Sequence, residues 1–265
     1  MIARTAAPAD VAALELLSAR SWRGLEEERL GDWLLRAAGG FTGRANSVLV
    51  VGSPGLPLPE AVGRVTRWYA ERGLRPRAQV PLPGAEEADA AFAAAGWVRD
   101  EDVLVLTAPL AGWPEPAVQV DLAGAPDEAW LTGYRYRGSA LPPVARQVLT
   151  GADGPVFASV RLAPVPEPLT AVARGVVVGD VLVVTAVTVD ERHRRRGLAT
   201  SVMAALGTWG AGRGATSCVL QVVASNAPAL ALYERLGFTE HHRYHYRLAA
   251  APPAPPTGAA DDAGR

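Results

Sequence analysis

Residues 181–201 read VLVVTAVTVDERHRRRGLATS. A β-branched apolar strand runs into a polar turn with three consecutive arginines, Arg194, Arg195 and Arg196, and then through Gly197 into a helix predicted to begin at about Leu198. That order of elements describes an anion site. The first turn of a helix leaves about four N–H groups without intrahelical partners and carries the positive end of the helix dipole. A phosphate is held there by backbone alone. Gly197 lets the loop bend and lets a bulky diphosphate approach the amides, Ala199 keeps the next position small, and the arginines add positive charge.

Outward from this stretch, Val202, Leu206 and Trp209 recur at helical spacing, and SCVLQVV at 217–223 reads as a buried strand. At 225–238 the chain reads SNAPALALYERLGF. Ser225 or Asn226 can cap a helix, Pro228 suits its first turn and Gly237 ends it. The pattern Arg194-x-x-Gly197-x-Ala199 resembles the Arg/Gln-x-x-Gly-x-Gly/Ala loop of the GNAT superfamily, the acyl-CoA-dependent N-acetyltransferases. The block at 225–238 is similar to that family's Asn, short helix with Tyr, Gly-Phe and last strand.

The resemblance implies acetyl-CoA as co-substrate. Its diphosphate would lie on Arg194, Arg195, Arg196, Gly197, Leu198, Ala199 and Thr200. Its pantetheine arm would pair with the backbone of Val187, Thr188 and Val189 along an exposed strand edge. Asn226 would touch the same arm, beside the plainer role of capping a helix. Tyr233 would protonate the departing thiolate; the other reading makes it a core aromatic between Leu230 and Leu236. The general base is open: the strand before the loop offers Thr185 and Thr188 but no carboxylate, leaving Glu234 and Asp190 as candidates.

The 265 residues are 49% hydrophobic and 20% charged with net charge −1, a globular composition without a global field for nucleic acid or an anionic membrane. All 26 basic residues are Arg, a bias shared with the abundant Ala, Gly and Pro. Five residues around Arg192–Arg196 lack the wider basic stripe of a nucleic-acid binder. The single cysteine, Cys218, excludes an intramolecular disulfide and a multi-cysteine metal cluster, and its apolar strand predicts an inert buried thiol. No apolar run approaches the roughly 20 residues that span a bilayer, and the N-terminus lacks a secretory pattern. A cytoplasmic protein without a metal is expected.

Along the chain, helices are predicted at 7–20, 60–72, 86–95, 127–133 and 141–149, and strands at 33–38, 47–52, 77–80, 102–107, 118–122, 156–162, 171–178 and 182–189. Residues 108–117, APLAGWPEPA, read as a linker. The two halves look like a degenerate repeat. Trp68-x-x-x-Arg72-Gly73 matches Trp209-x-x-x-Arg213-Gly214, each followed by a strand with a Gln, Gln79 or Gln221, and a helix closed by Gly96-Trp97 or Gly237-Phe238. The expected fold is therefore α/β with a mixed sheet, in two GNAT-like lobes in tandem. Residues 1–110 form a degenerate N-terminal lobe, 111–248 the acetyltransferase domain, and 249–265 a disordered Pro/Ala-rich tail. In the first lobe Pro54, Pro57 and Pro59 remove N–H donors from the place an anion cradle needs them, and Phe92 is nearest to a Tyr counterpart.

Residues 33–47, WLLRAAGGFTGRANS, resemble a tandem GNAT subfamily associated with actinobacteria. Trp33, Arg44 and Asn46 either face the acceptor or belong to a tight turn with Arg44 in solvent. Tyr134 and Tyr136, on the loop between two helices, are acceptor contacts or a solvated turn. The expected partner is an amine of a small molecule or a polypeptide. A second reading is an acyl-CoA-binding regulatory module without turnover. Monomer and homodimer are equally open.

Overall fold

The computed structural model describes residues 6–134, 140–162 and 168–250. Among these, eleven strands form one mixed sheet. The strands are β1 (Glu26–Leu30), β2 (Trp33–Ala37), β3 (Val48–Leu49), β4 (Arg77–Leu82), β5 (Val98–Pro109), β6 (Asp121–Ala123), β7 (Val156–Val160), β8 (Ala171–Val178), β9 (Val181–Val189), β10 (Ser217–Val223) and β11 (Thr239–Leu248). The helices are α1 (Pro8–Ser21), α2 (Leu58–Ala70), α3 (Glu86–Ala94), α4 (Glu128–Gly133), α5 (Ala145–Thr150), α6 (Leu198–Ala211) and α7 (Ala227–Arg235).

The spatial order is β1-β2-β3-β4-β11-β5-β10-β9-β8-β7-β6. The two halves of the sequence thus exchange their last strands. β5 pairs with β10 of the second half, from Ser217↔Pro109 to Val223↔Val103, and β11 pairs with β4 of the first, from Arg243↔Leu82 to Leu248↔Arg77. The exchanged strands meet at the centre, where β11 and β5 run antiparallel. β3–β4 and β9–β10 are the parallel pairs, one on either side of that centre. The repeated motif repeats in space too: Arg72 stacks on Trp68 at 3.7 Å and Arg213 on Trp209 at 4.2 Å.

Packing follows the alternation of each strand. Leu182, Val184 and Leu220 face α6 and α7, while Val183, Val219 and Tyr244 face α1. In the first half, Leu35, Val65, Tyr69 and Phe92 build a separate core under α2 and α3. α1 joins the halves through one buried carboxylate. Glu15 accepts from Gln79 Nε2 of β4 at 2.8 Å and contacts His242 Nε2 of β11 at 3.0 Å, while Gln79 Oε1 accepts from Arg36 Nη2 at 2.8 Å.

Several boundaries differ from the sequence reading. β1 was not foreseen because four of its five residues, EEERL, are exposed and charged, which suits an edge strand but carries no alternation. The strand expected at 47–52 shrinks to Val48–Leu49, since Arg44–Asn46 form a 3-10 turn just before it. The helix expected at 141–149 begins at Ala145, and the strand expected at 118–122 lies at Asp121–Ala123. Residues 135–139, with Tyr136, and the tail beyond 250 lie outside the described residues. No helix among the described residues is long and apolar enough to cross a membrane.

Because β5 and β11 are shared, fragments 1–110 and 111–265 expressed separately should each lack a cooperative thermal transition, and mixing them should restore one. Two fragments that melt cooperatively alone would contradict the exchange.

Candidate functional site

β9 and β10 pair only from Ser217↔Val181 to Leu220↔Val184. Beyond that point each turns to its other neighbour: β9 continues beside β8 to Val189, and β10 beside β5 to Val223. A bulge drives the separation. Ala186 and Val187 stand opposite one residue of β8, between the pairs Arg174↔Thr185 and Val172↔Thr188, and Ala186 sits at φ +58°. A bulge bends its strand and re-aims the backbone, here into the gap. The gap is a cleft of about 360 Å³.

Both halves of the chain wall this cleft. Val187 and Thr188 come from β9, Gln221 and Val222 from β10, Asn226 from the cap of α7 and Tyr233 from α7 itself. Thr42, Gly43, Arg44 and Arg77 come from the first half, with Asp100 on β5 and Tyr244 and Tyr246 on β11. A larger hollow of about 740 Å³ opens between α1 and β1, but its polar lining is surface charge such as Arg20, Arg23, Glu27 and Asp153, and no predicted site residue reaches it.

Beyond the end of β9, Asp190 caps a 3-10 turn, accepting from Arg192 N–H at 2.9 Å. Arg194 pairs with Glu191 at 3.0 Å, whereas Arg195 and Arg196 make no ion pair among the described residues. Gly197 then opens α6 at φ +75°, and among the described residues no side chain caps the helix. Around Gly197 a Cβ would meet nothing within 4 Å. The glycine is therefore required by the left-handed backbone rather than by crowding, and the Leu198, Ala199 and Thr200 amides open the helix.

Tyr233 is buried, edge-on to Phe238 at 5.6 Å, and its hydroxyl makes no hydrogen bond to the described residues. Burial, with the neighbouring Cys218 second, pushes its phenol up to about 12. Asn226 both caps α7, accepting from Ala229 N–H at 3.3 Å, and lines the cleft. Cys218 is fully buried, and burial raises its thiol well above the ordinary value.

Among the acceptor candidates, Arg44 lines the cleft, donating to Gln221 Oε1 at 3.2 Å and lying 4.8 Å from the Trp22 ring. Tyr134 lines it as well. Asn46 and Trp33 do not. The Asn46 amide ties the glycine-rich turn, accepting from the Ala38 and Gly40 N–H groups and donating to the Phe41 and Thr42 carbonyls. Trp33 is fully buried and stacked on Phe92 at 5.8 Å, because all five residues of β2 are interior. Tyr136 lies outside the described residues.

Of the candidate bases, Asp190 is bound by Arg192 side chain and backbone, which hold its carboxyl well below the usual range. Glu234 is exposed on α7, and neither residue lines the cleft. Asp100 is the carboxylate that does, among the described residues. Sequence reasoning missed it in the run VRDED, together with Arg77, Tyr244 and Tyr246. The two tyrosines carried a readable signal, a period of two that puts both on one face, where they meet edge-on at 5.4 Å. Tyr244 donates to Gln221 Oε1 at 3.1 Å, and Arg77 lies 5.3 Å from the Tyr246 ring.

The family described as "Probable histone acetyltransferase Rv0428c C-terminal" matches residues 8–247. The "Probable histone acetyltransferase Rv0428c" of Mycobacterium tuberculosis (strain ATCC 25618 / H37Rv) is 31% identical over 252 residues, 92% of this chain and 74% of that protein. The "Uncharacterized N-acetyltransferase YobR" of Bacillus subtilis (strain 168) is 25% identical over 261 residues, 90% of this chain and 98% of that one. Among solved structures, a GCN5-related N-acetyltransferase from Kribbella flavida superposes with a TM-score of 0.63 at 16% identity, over 91% of this chain and 96% of that chain. That likeness speaks for the fold.

Because Ala186 holds a left-handed conformation, Ala186→Val should destabilise the protein by about 1–2 kcal/mol and Ala186→Gly should be close to neutral, as read by thermal unfolding. Equal stability of the two variants would count against the bulge.

Proposed function

The chain belongs to the Rv0428c C-terminal family, within the GNAT superfamily of N-acetyltransferases, and we propose that it transfers the acetyl group of acetyl-CoA to a primary amine in the cleft between β9 and β10. The observation that carries this reading is the parting of those strands after Val184 and Leu220, with Tyr233 on one wall and the uncapped start of α6 beside it.

The residues present fit the co-substrate. The amides of Leu198, Ala199 and Thr200, with Arg195 and Arg196, form a cationic cradle for a diphosphate. The bulged edge of β9 at Val187 and Thr188 offers unpaired backbone groups to an amide-bearing arm, and Asn226 closes the opposite wall. Acetyl-CoA supplies an activated acyl carbon whose thiolate is a tolerable leaving group.

The chain's own residues do the rest. Asp100 accepts the proton of the incoming ammonium, directly or through water, so that a neutral amine attacks. As the new C–N bond forms and the C–S bond breaks, the nitrogen sheds its second proton to water, and backbone N–H groups of the parted edge stabilise the negative charge on the carbonyl oxygen. Tyr233 gives its proton to the departing sulfur and recovers one from solvent. Burial suits it to this role: the phenol stays protonated throughout the neutral range and has no competing partner among the described residues.

This division gives 111–248 the coenzyme site and the acid Tyr233, while 1–110 contributes the base Asp100 and part of the acceptor wall. Residues 42–44 and Arg77 wall the cleft, but the described residues of the first half form no cradle of their own. Pro57 precedes α2 and Pro59 sits in its first turn. Phe92 stands four residues before Gly96, as Tyr233 stands four before Gly237, and Trp33 packs against it. The acceptor is an amine of a small molecule or of a polypeptide; the name of the mycobacterial relative points to the second.

Tyr233→Phe should lower kcat by about 10²-fold with CoA affinity unchanged, and the wild-type rate should show no alkaline loss attributable to this phenol below about pH 11. A variant as fast as wild type would remove Tyr233 from the mechanism. Gly197→Val, strained at φ +75°, should weaken CoA binding by about tenfold or more in a calorimetric titration. Unaltered affinity would count against the cradle.

A further inference from the structure

The charges around the acceptor end of the cleft are unbalanced. Arg44 and Arg77 are both half-buried on its wall, and neither has a carboxylate partner among the described residues. Arg44 spends one donor on Gln221 Oε1, and Arg77 rests against the Tyr246 ring. Gly43 keeps room for this arrangement: a Cβ there would lie 2.8 Å from Arg77 Nη1 and 2.9 Å from Tyr246 Oη.

Behind this wall sits a third guanidinium. Arg174 is fully buried, donates from Nε to the Leu149 carbonyl at 2.7 Å and weakly from Nη1 to Thr185 Oγ1 at 3.5 Å, and its Nη2 has no partner among the described residues. Arg174 and Arg44 lie 5.2 and 4.8 Å from the same Trp22 ring. Burial first, and repulsion from Arg44 second, bring the Arg174 guanidinium down to about 9, which leaves it charged at neutral pH. The other fully buried arginine, Arg36 on β2, is better served: it donates to Ser47 O, Ser47 Oγ and Gln79 Oε1, and Gln79 in turn reaches the Glu15 carboxylate. Among the described residues, the second half has no carboxylate in the role Glu15 plays in the first.

A buried, uncompensated positive field is costly to keep and is relieved by an anion. A lysine- or arginine-rich polypeptide would deepen the imbalance. Among the described residues the lining also holds one carboxylate, Asp100 on β5, whereas Arg77 is on β4 and Arg44 on the 3-10 turn. A positive wall and a single carboxylate match a dipolar molecule.

Resting on the acetyltransferase reading above, we propose that the acceptor is a small amine carrying an anionic oxygen group, a carboxylate or phosphate, which Arg44 and Arg77 receive while Asp100 takes the ammonium. A planar guanidinium fork suits either oxyanion.

The test is release of CoA thiol from acetyl-CoA by the full-length protein with matched amines. The probes are the twenty amino acids against their amides, phosphoethanolamine against ethanolamine, and a lysine- and arginine-rich peptide. At least one acid should be acetylated with kcat/KM about tenfold or more above its neutral match, the size of one charge-assisted contact. The carboxylate and phosphate arms distinguish the two oxyanions. Arg77→Gln should shrink that ratio through KM with kcat little changed, and Arg44→Gln gives a second reading if the first variant folds poorly. Transfer to amides or to the basic peptide at rates equal to or above the acids overturns the inference and leaves the acetyltransferase reading standing. Tight binding of acetyl-CoA with transfer to none of the probes also counts against the inference, whereas failure to bind acetyl-CoA sinks the acetyltransferase reading itself.

Discussion

Two parallel strands that stay paired for four residues and then part account for most of what is distinctive in this molecule. Had β9 and β10 remained hydrogen-bonded past Val184 and Leu220, their backbone groups would be satisfied and no opening would cross the sheet. The bulge at Ala186 and Val187 prevents that by inserting an extra residue where β9 would otherwise continue in register. Each strand keeps its outer partner, β8 or β5, so the sheet is not broken. The cost of unpaired backbone is confined to one side of each strand, and that side faces the cleft.

The exchange of β5 and β11 determines which residues can reach the opening. β5 leaves the first half and pairs along β10, bringing Asp100 to the cleft, and β11 returns from the second half to pair along β4, bringing Tyr244 and Tyr246. The site is therefore composite. The proposed acyl-donor side is built by residues 187–233, and the proposed acceptor side draws on both ends of the chain. Glu15 holds the same junction from the α1 face through Gln79 and His242.

Much of this was legible in the sequence, and the parts that were not share a cause. The strand, turn and helix around Gly197 were read correctly because local chemistry dictates them: β-branched residues, a polar turn and a glycine that must adopt positive φ. The repeat was legible as well, since Trp68 and Arg72 stack as Trp209 and Arg213 do at one helical turn's spacing. Nothing local announces the exchange, because pairing of β5 with β10 is a choice between distant partners. Asp100 and Arg77 were invisible for that reason. The amphipathic character of Trp33 and its glycine-rich neighbourhood leave an acceptor role open, yet β2 is interior along its whole length. Of the two readings open to Asn46, the hydrogen bonds match the tight turn. The bulge at Ala186 carries neither Gly nor Asn, so no residue type marks it.

The central claim is that one parted pair of strands, and only the second-half helix start beside it, receives coenzyme A. Amide hydrogen exchange with and without the coenzyme examines this at the backbone itself. The account predicts slowed exchange at Val187, Thr188 and the Leu198–Thr200 amides, with no change across residues 53–62 at the start of α2. Equal slowing at both helix starts, or none at 187–200, would contradict it.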